Sequence, residues 1–552
     1  MFNLFFHKLR WHLRPRSSFL HPRKNSYKWW LLANVMIGTF MSVLDATIVN
    51  VGLPKIMANF GASLDQIEWV LTAYLLALAV VLPIAGWMAD RFGYKRVYFL
   101  GLLLFTAGSA LCGISESEQT LIISRIIQGL GAGTIMPMGM AIVSREFPPK
   151  ERGVALGFWA VAAASSVSFG PLIGGYLVDK FNWQLIFLVN VPVGLIGLFV
   201  TYLIQQEYKS KQVRKFDPWG FFSIVTFLPV TLYALSEGKA VSNSEGWTAP
   251  YILACFAIAI ISLTIFIVAE LHVKDPFINI KLLKEWNFGL SNLIMFIFGI
   301  GMFGTPFILP LFLQNSLGWT AIQAGSVFLP VGVIQGIVAP LAGRLVTKIN
   351  AKIVLLTGIV CIVSSFVLGY FLSYQTEHNA IMVMLYLRGL GMGILFAPLS
   401  TIALSKIPRD QMAQASSLFN VTRQLGGSFG VAILSSLLTT RTIFHQQIYG
   451  EQLNANSPEL FTSLSRWSQH LVHSAGSSMS QSLQQGKMLL IKHTMSQGYI
   501  QGIADDFLIA AVITTLGVIP VLALQTRKKK VKEVPEPSAD SLNTAIYKNK
   551  KH

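Results

Sequence analysis

Long apolar stretches separated by short polar turns run along almost the whole chain. Fourteen of them, at approximately 30–53, 67–89, 97–114, 120–144, 153–178, 184–205, 218–236, 250–270, 289–313, 321–346, 353–374, 380–404, 413–438 and 506–525, are rich in Leu, Ile, Val, Phe, Ala and Gly. A hydrocarbon core about 30 Å thick takes about 20 helical residues to cross. In lipid the backbone must satisfy its own hydrogen bonds, so each stretch is predicted to be a membrane-spanning helix. The two-residue alternation of a membrane barrel is absent. The pattern therefore predicts an all-α polytopic membrane protein.

Two turns are copies of each other. The stretch PIAGWMADRFGYK (Pro83–Lys95) returns as PLAGRLVTKINAK (Pro340–Lys352), 257 positions later, with Pro, Ala, Gly and the final Lys in register. GLGAG at Gly129–Gly133 likewise matches GLGMG at Gly389–Gly393, and at that offset of 260 Pro148 falls on Pro408, Ala155 on Ala415 and Gly170 on Gly430. The chain thus reads as two six-helix bundles related as parallel repeats, with two extra central helices between them and a substrate path at the interface. Expected divisions are a basic tail (1–28), an N-terminal bundle (29–206), two inserted helices with their linkers (207–285), a C-terminal bundle (286–526) and a second basic tail (527–552). The C-terminal bundle contains one long outer loop, 439–505, rich in Ser, Gln and His. It is read either as a disordered insertion or as a helical feature that docks a partner; Leu460, Leu464, Trp467 and Leu471 stand at helical spacing within it.

Composition supports the membrane reading and removes a rival. The 552 residues are 53% hydrophobic and 12% charged, about half the charge fraction of a soluble domain. The net charge of +18 is no nucleic-acid footprint, because the basic residues gather at alternate helix ends and in the tails. Lys8 to Lys28 hold seven basic residues and no acid, a surface suited to anionic membrane lipid. Turns with Arg91, Lys95 and Arg96, with Arg145, Lys150 and Arg152, and with Lys406 and Arg409 alternate with loops such as 314–320 that have none. The positive-inside rule then places both termini in the cytoplasm. Cys112, Cys255 and Cys361 lie in apolar segments and are read as packing residues, and neither the cysteines nor the histidines offer a metal-ligand spacing. No nucleophile–base pair or phosphate loop stands out, so an enzyme is the weakest reading, and no cofactor is expected.

A few polar groups interrupt the apolar helices. Asp45 lies mid-span in the first, where an ionisable group costs about 2.5–3.5 kcal/mol on insertion scales. A low dielectric favours the neutral acid, so Asp45 is suited to exchanging a proton or pairing a cationic substrate. Arg125 is the one charge deep in the fourth span, with Gln128 three residues on and on nearly the same face. An arginine stays charged and needs an acceptor. At the 260 offset Arg388 stands opposite Gln128; with Arg423, Asp505 and Asp506 it forms a secondary set. Asp505 and Asp506 are read as interface residues at a helix start.

In their joint order, LDATIVNVGLP (Leu44–Pro54), GWMADRFGYKR (Gly86–Arg96), LIISRIIQGLGAG (Leu121–Gly133), FGPLIGG (Phe169–Gly175), WQLIFLVNVPVG (Trp183–Gly194) and NVTRQLGGSFG (Asn420–Gly430) resemble the major facilitator superfamily. The likeness is to its fourteen-span drug:proton antiporters of the EmrB/QacA type, closest to EmrB-like multidrug exporters. It covers nearly the whole chain. It implies export of amphipathic drugs from the cytoplasmic (inner) membrane in exchange for protons. A latch between the halves would be built from Gly86, Asp90, Arg91 and Arg96, with Arg152 as a partner of Asp90. Proton coupling would fall to Arg125, and Gly170, Pro171, Gly174 and Gly175 would form the antiporter motif. At the 260 offset Val431 replaces Pro171, so the second half lacks that motif. The EmrB likeness further implies an EmrA-like periplasmic adaptor and a TolC-like outer-membrane channel. A narrower substrate, such as a fatty acid or siderophore, is the alternative on the same scaffold.

Overall fold

The computed structural model describes residues 24–525 apart from 63, 210–216, 239–242, 244, 274–277 and most of 453–478. Both basic tails therefore lie almost wholly outside the described residues. The first repeat contains α1 (Lys24–Phe60), α2 (Leu64–Phe92), α3 (Tyr94–Gly113), α4 (Glu118–Glu146), α5 (Pro149–Lys180), α6 (Leu185–Leu188) and α7 (Asn190–Ile204). Next come α8 (Pro218–Glu237) and α9 (Pro250–His272). The second repeat holds α10 (Trp286–Leu311), α11 (Ala321–Ser326), α12 (Leu329–Lys348), α13 (Ala351–Tyr370), α14 (His378–Ala403), α15 (Met412–Gln452), α16 (Met479–Leu516) and α17 (Val518–Ala523). No strand occurs among the described residues.

Helix stands at each of the fourteen predicted positions. Twelve segments are long and apolar enough to cross a membrane. The other two positions are filled by α5 and by α10, whose apolar part is shorter. The helices α1–α7 pack among themselves, as do α10–α17, while α8 and α9 pair and α8 leans on α2 and α15.

Local sequence explains the boundaries. Ser117 and Thr120 make a capping box that starts α4. Thr320 and Gln323 do the same for α11. Between α2 and α3 the chain reverses at Gly93, whose φ of 103° is open to glycine and strained for other residues. This turn, with the loops after α4, α7, α12 and α14, forms one end of the molecule, called the basic end below.

The long outer loop is largely helix where it is described. α15 has 41 residues and α16 has 38, each about 60 Å at 1.5 Å per residue and so roughly twice the hydrocarbon thickness. They project together at the end opposite the basic one. A Cβ on Gly498 would stand 2.9 Å from the Gln446 backbone nitrogen, and one on Gly502 would stand 3.0 Å from that of Thr442. Leu460, Trp467 and Leu471 lie outside the described residues; Leu464 is buried.

Candidate functional site

Asp45, Arg125 and Gln128 converge in the half of the first bundle away from the basic end. All three side chains are fully buried. Arg125 pairs with Asp45 through Nη1 and Oδ2. Gln128 Nε2 donates to Asp45 Oδ1 at 2.7 Å, and Asn190 Nδ2 donates to the same oxygen at 3.1 Å. Arg125 is held in turn: Nη1 donates to Gln128 Oε1 at 2.7 Å, Nε donates to the Val70 carbonyl at 3.1 Å, and the guanidinium lies 4.1 Å from the Tyr74 ring centroid. Ser109 is 2.6 Å from Gln128 Nε2 and accepts from it. Five helices thus fix one carboxylate, with α1 carrying it and α2, α3, α4 and α7 supplying its surroundings. Arg125 Nη2 has no hydrogen-bond partner among the described residues.

A buried ion pair costs much desolvation energy and is retained only with good geometry and further hydrogen bonds. Here the carboxylate accepts at both oxygens, so the charged pair is supported in this state. Loss of the proton-free form would break a network rather than one contact. The arrangement allows one acid to switch between an Arg-paired anion and a neutral carboxyl.

Asn190, Ser109 and Tyr74 were not expected at the site. Asn190 is visible in retrospect as a carboxamide inside the apolar run LIFLVNVPVG, but nothing in the chain pairs it with Asp45. Asn190→Ala should remove one hydrogen bond from Asp45, worth about 1 kcal/mol. The expected result is a pH profile of transport displaced by several tenths of a unit, with protein yield unchanged. An unmoved profile would show that Asn190 only packs.

Of the residues read as a latch, Gly86, Asp90 and Arg152 lie at the basic end, between the two repeats. Asp90 Oδ2 accepts from Gln414 Nε2 at 3.0 Å, and Arg152 Nη1 donates to the Leu404 carbonyl at 3.0 Å. Each is therefore engaged across the interface, with Gln414 and Leu404 as partners the chain alone did not reveal. Ala413 N donates to the Tyr94 hydroxyl at 3.2 Å, Arg145 reaches the Arg409 carbonyl at 3.1 Å, and Ser417 donates to the Leu82 carbonyl. Glycine contacts repeat the pattern. A Cβ on Gly86 would meet Gln414 Cα at 2.9 Å, and one on Gly343, its counterpart in the second copy, would meet the Gly153 carbonyl oxygen at 2.0 Å. The basic end is closed by two related helix crossings, α2 on α15 and α12 on α5.

Arg91 and Arg96 do not cross that interface. Arg91 lies over Trp87, and Arg96 pairs with Glu207 at 3.5 Å. Glu207 also accepts from the Lys95 backbone N–H at 3.1 Å. Burial pushes its carboxyl up from the ordinary glutamate range, and the Lys95 N–H and Arg96 pull it back. The segment after α7 thus straps the glycine turn to its own bundle.

α5 continues as helix through position 171. A Cβ on Gly170 would sit 2.1 Å from Thr47 Oγ1, and one on Gly174 would sit 2.8 Å from Ile48, so these glycines bring α5 onto α1 two to three residues beyond Asp45. Gly175 is buried beside them. In the second repeat Arg388 and Arg423 are buried in α14 and α15, away from the Asp45 network. Asp505 pairs with Arg441 at 3.3 Å and with His445 at 2.8 Å, while Asp506 is buried.

Two helical repeats closed against each other at one end, with a charged network buried inside one of them, have the architecture of a membrane transporter. The sequence profile of the Major Facilitator Superfamily matches residues 35–431, and the chain belongs to that superfamily. It is a multi-pass membrane transporter rather than an enzyme. Its relatives include multidrug export protein EmrB of Haemophilus influenzae, 32% identical over 86% of this chain and 91% of that protein. Another is fatty acid resistance protein FarB of Neisseria gonorrhoeae, 30% identical over 91% of this chain and 97% of that protein. Among solved structures, the human organic anion transporter MFSD10 shares the fold at a TM-score of 0.58 and 12% identity, covering 91% of this chain and all of that one.

Proposed function

We propose that this transporter exports amphipathic, hydrophobic drugs across the cytoplasmic membrane in exchange for protons. The observation that carries the reading is the fully buried Asp45–Arg125 pair with its two supporting amides, Gln128 and Asn190, and the Ser109 hydroxyl behind them. In the anionic form Asp45 is held by Arg125, Gln128 and Asn190. Protonation removes the charge that Arg125 pairs with and frees the network to rearrange. Each proton moving inward supplies about 2.3 kcal/mol per 100 mV. The drug class follows from relatives named as a multidrug exporter and as a fatty acid resistance protein.

The orientation proposed is fourteen spans with both termini in the cytoplasm, so the basic end faces inward and the described state is closed to the cytoplasm. Asp90, Gln414, Arg152 and the glycine crossings hold that state. Drug would enter between the bundles when these contacts part, and leave when they reform. The projecting hairpin of α15 and α16 then stands in the periplasm of a Gram-negative host. Its exposed Ile443, Phe444, Met488, Ile491 and Met495 offer an apolar face to an EmrA-like adaptor, with a TolC-like channel completing the path.

A dye-transport assay in inverted vesicles tests this reading. With an imposed proton gradient, wild-type vesicles should accumulate an amphipathic fluorescent drug, and collapse of the gradient should stop them. Gradient-independent accumulation would remove the antiport. Accumulation of fatty acid with no accumulation of any drug in a broad panel would move the substrate to the narrower class.

A further inference from the structure

A second carboxyl, Asp506 in α16, is also buried but differently served. It is fully buried, and neither of its oxygens has a hydrogen-bond partner among the described residues. An unpaired anion in such a place costs several kcal/mol. The neutral acid costs only what a buried neutral polar group costs. Its neighbour Asp505 is part-exposed and is paired with Arg441 Nε and His445 Nε2, both on α15. Arg441 and His445 are therefore already committed to the adjacent carboxylate.

Among the described residues the helices packed on α16 offer no further counter-ion. α16 packs against α10, α13 and α15. α10 carries no titratable side chain, and α13 brings Cys361, Tyr370 and Lys352, the last bound to the Leu522 carbonyl at the basic end. From α15 come Arg441 and His445, with Tyr449 and Glu451 beyond them and Arg423 buried toward the basic end. On α16 itself Lys487, Lys492 and His493 lie on the projecting part. The next residue, Phe507, rests on the Gly369 position and near Phe366.

We propose that Asp506 is a second proton-carrying carboxyl, placed in the second repeat and loaded from the projecting side past His445 and Asp505. The proposal rests on the proton-antiport reading above. The proton passes from water at that face to an Asp506 oxygen, and is lost to water on the other side once the environment of the acid changes. α15 supplies the mechanical link. The same helix that presents Arg441 and His445 next to Asp505 also carries Gln414 and Ser417, which close the basic end on Asp90 and Leu82. Opening of that end moves α15 against α16, and with it the setting of Asp506. Two carboxyls, one in each repeat, then give two protons per cycle.

Ethidium accumulation in proteoliposomes of the full chain tests this, with the membrane potential clamped at zero and the pH difference varied. With two protons per drug, each pH unit multiplies the equilibrium accumulation about a hundredfold; with one proton, about tenfold. Asp506→Asn should drop from the first slope to the second, and Asp506→Glu, which keeps the carboxyl, should retain the first. A wild-type slope in Asp506→Asn, or a slope lost equally in Asp506→Glu, overturns the proposal. A wild type that accumulates ethidium regardless of the gradient overturns the antiport reading beneath it. In parallel, infrared difference spectra of the reconstituted protein should show a protonated-carboxyl band that Asp506→Asn removes and Asp505→Asn keeps; a band untouched by Asp506→Asn counts against it independently of transport.

Discussion

Asp45→Asn is expected to abolish gradient-driven drug uptake and also to destabilise the protein, and the two effects are separable. The substitution keeps the shape of the side chain but leaves the Arg125 guanidinium fully buried without its counter-ion. Breaking a buried pair by removing one partner costs about 3–5 kcal/mol. Arg125→Gln should be comparably harmful, since it leaves Asp45 with only Gln128 and Asn190 as donors. The double variant Asp45→Asn/Arg125→Gln removes both charges. It should recover most of the lost thermal stability in detergent, because two neutral amides can hydrogen-bond where an unpaired ion cannot. Transport should stay absent, because nothing remains to take the proton. Recovery of stability without recovery of uptake would separate a coupling acid from a structural one. If Asp45→Asn keeps full gradient-driven uptake, the coupling acid lies elsewhere in the chain.

The second large effect is expected at the glycine crossing of α5 and α12. Gly153 and Gly343 stand so close that a Cβ on either would lie 2.3 or 2.0 Å from the other's carbonyl oxygen. Backbone cannot yield as a flexible side-chain tip can, so even alanine must push the helices apart. Gly343→Val should therefore disfavour the state closed at the basic end, and reduce drug transport more than tenfold while leaving the amount of inserted protein near normal. Normal transport in Gly343→Val would show that this crossing relaxes at little cost.

These predictions locate function at contacts between helices, and that is where reading the chain alone runs short. The apolar periodicity placed a helix at all fourteen expected positions, because span length is set by membrane thickness and backbone satisfaction, both local properties. The repeat PIAG/PLAG was also legible. Its meaning was not: Gly86 and Gly343 are equivalent in sequence, yet each packs on the opposite repeat, at Gln414 and at Gly153. Asp90 was read with Arg152 as a candidate partner; the structure adds Gln414, which donates to Asp90, and the Leu404 carbonyl, which accepts from Arg152. A backbone carbonyl has no side-chain signature, so no sequence pattern could have nominated Leu404.

By itself the sequence determined that this is a polytopic helical membrane protein with two related halves, and it singled out Asp45, Arg125 and Gln128 as charged or polar groups too costly to bury without purpose. Those conclusions follow from the price of polarity in lipid, which acts on each residue wherever its neighbours are. Only the tertiary structure decided that the three meet, that Asn190 and Ser109 complete their network, and that Asp505 is paired while Asp506, one residue on, has no hydrogen-bond partner among the described residues. Adjacent residues on a helix point about 100° apart, so which one meets a counter-ion depends on the helix packed beside it.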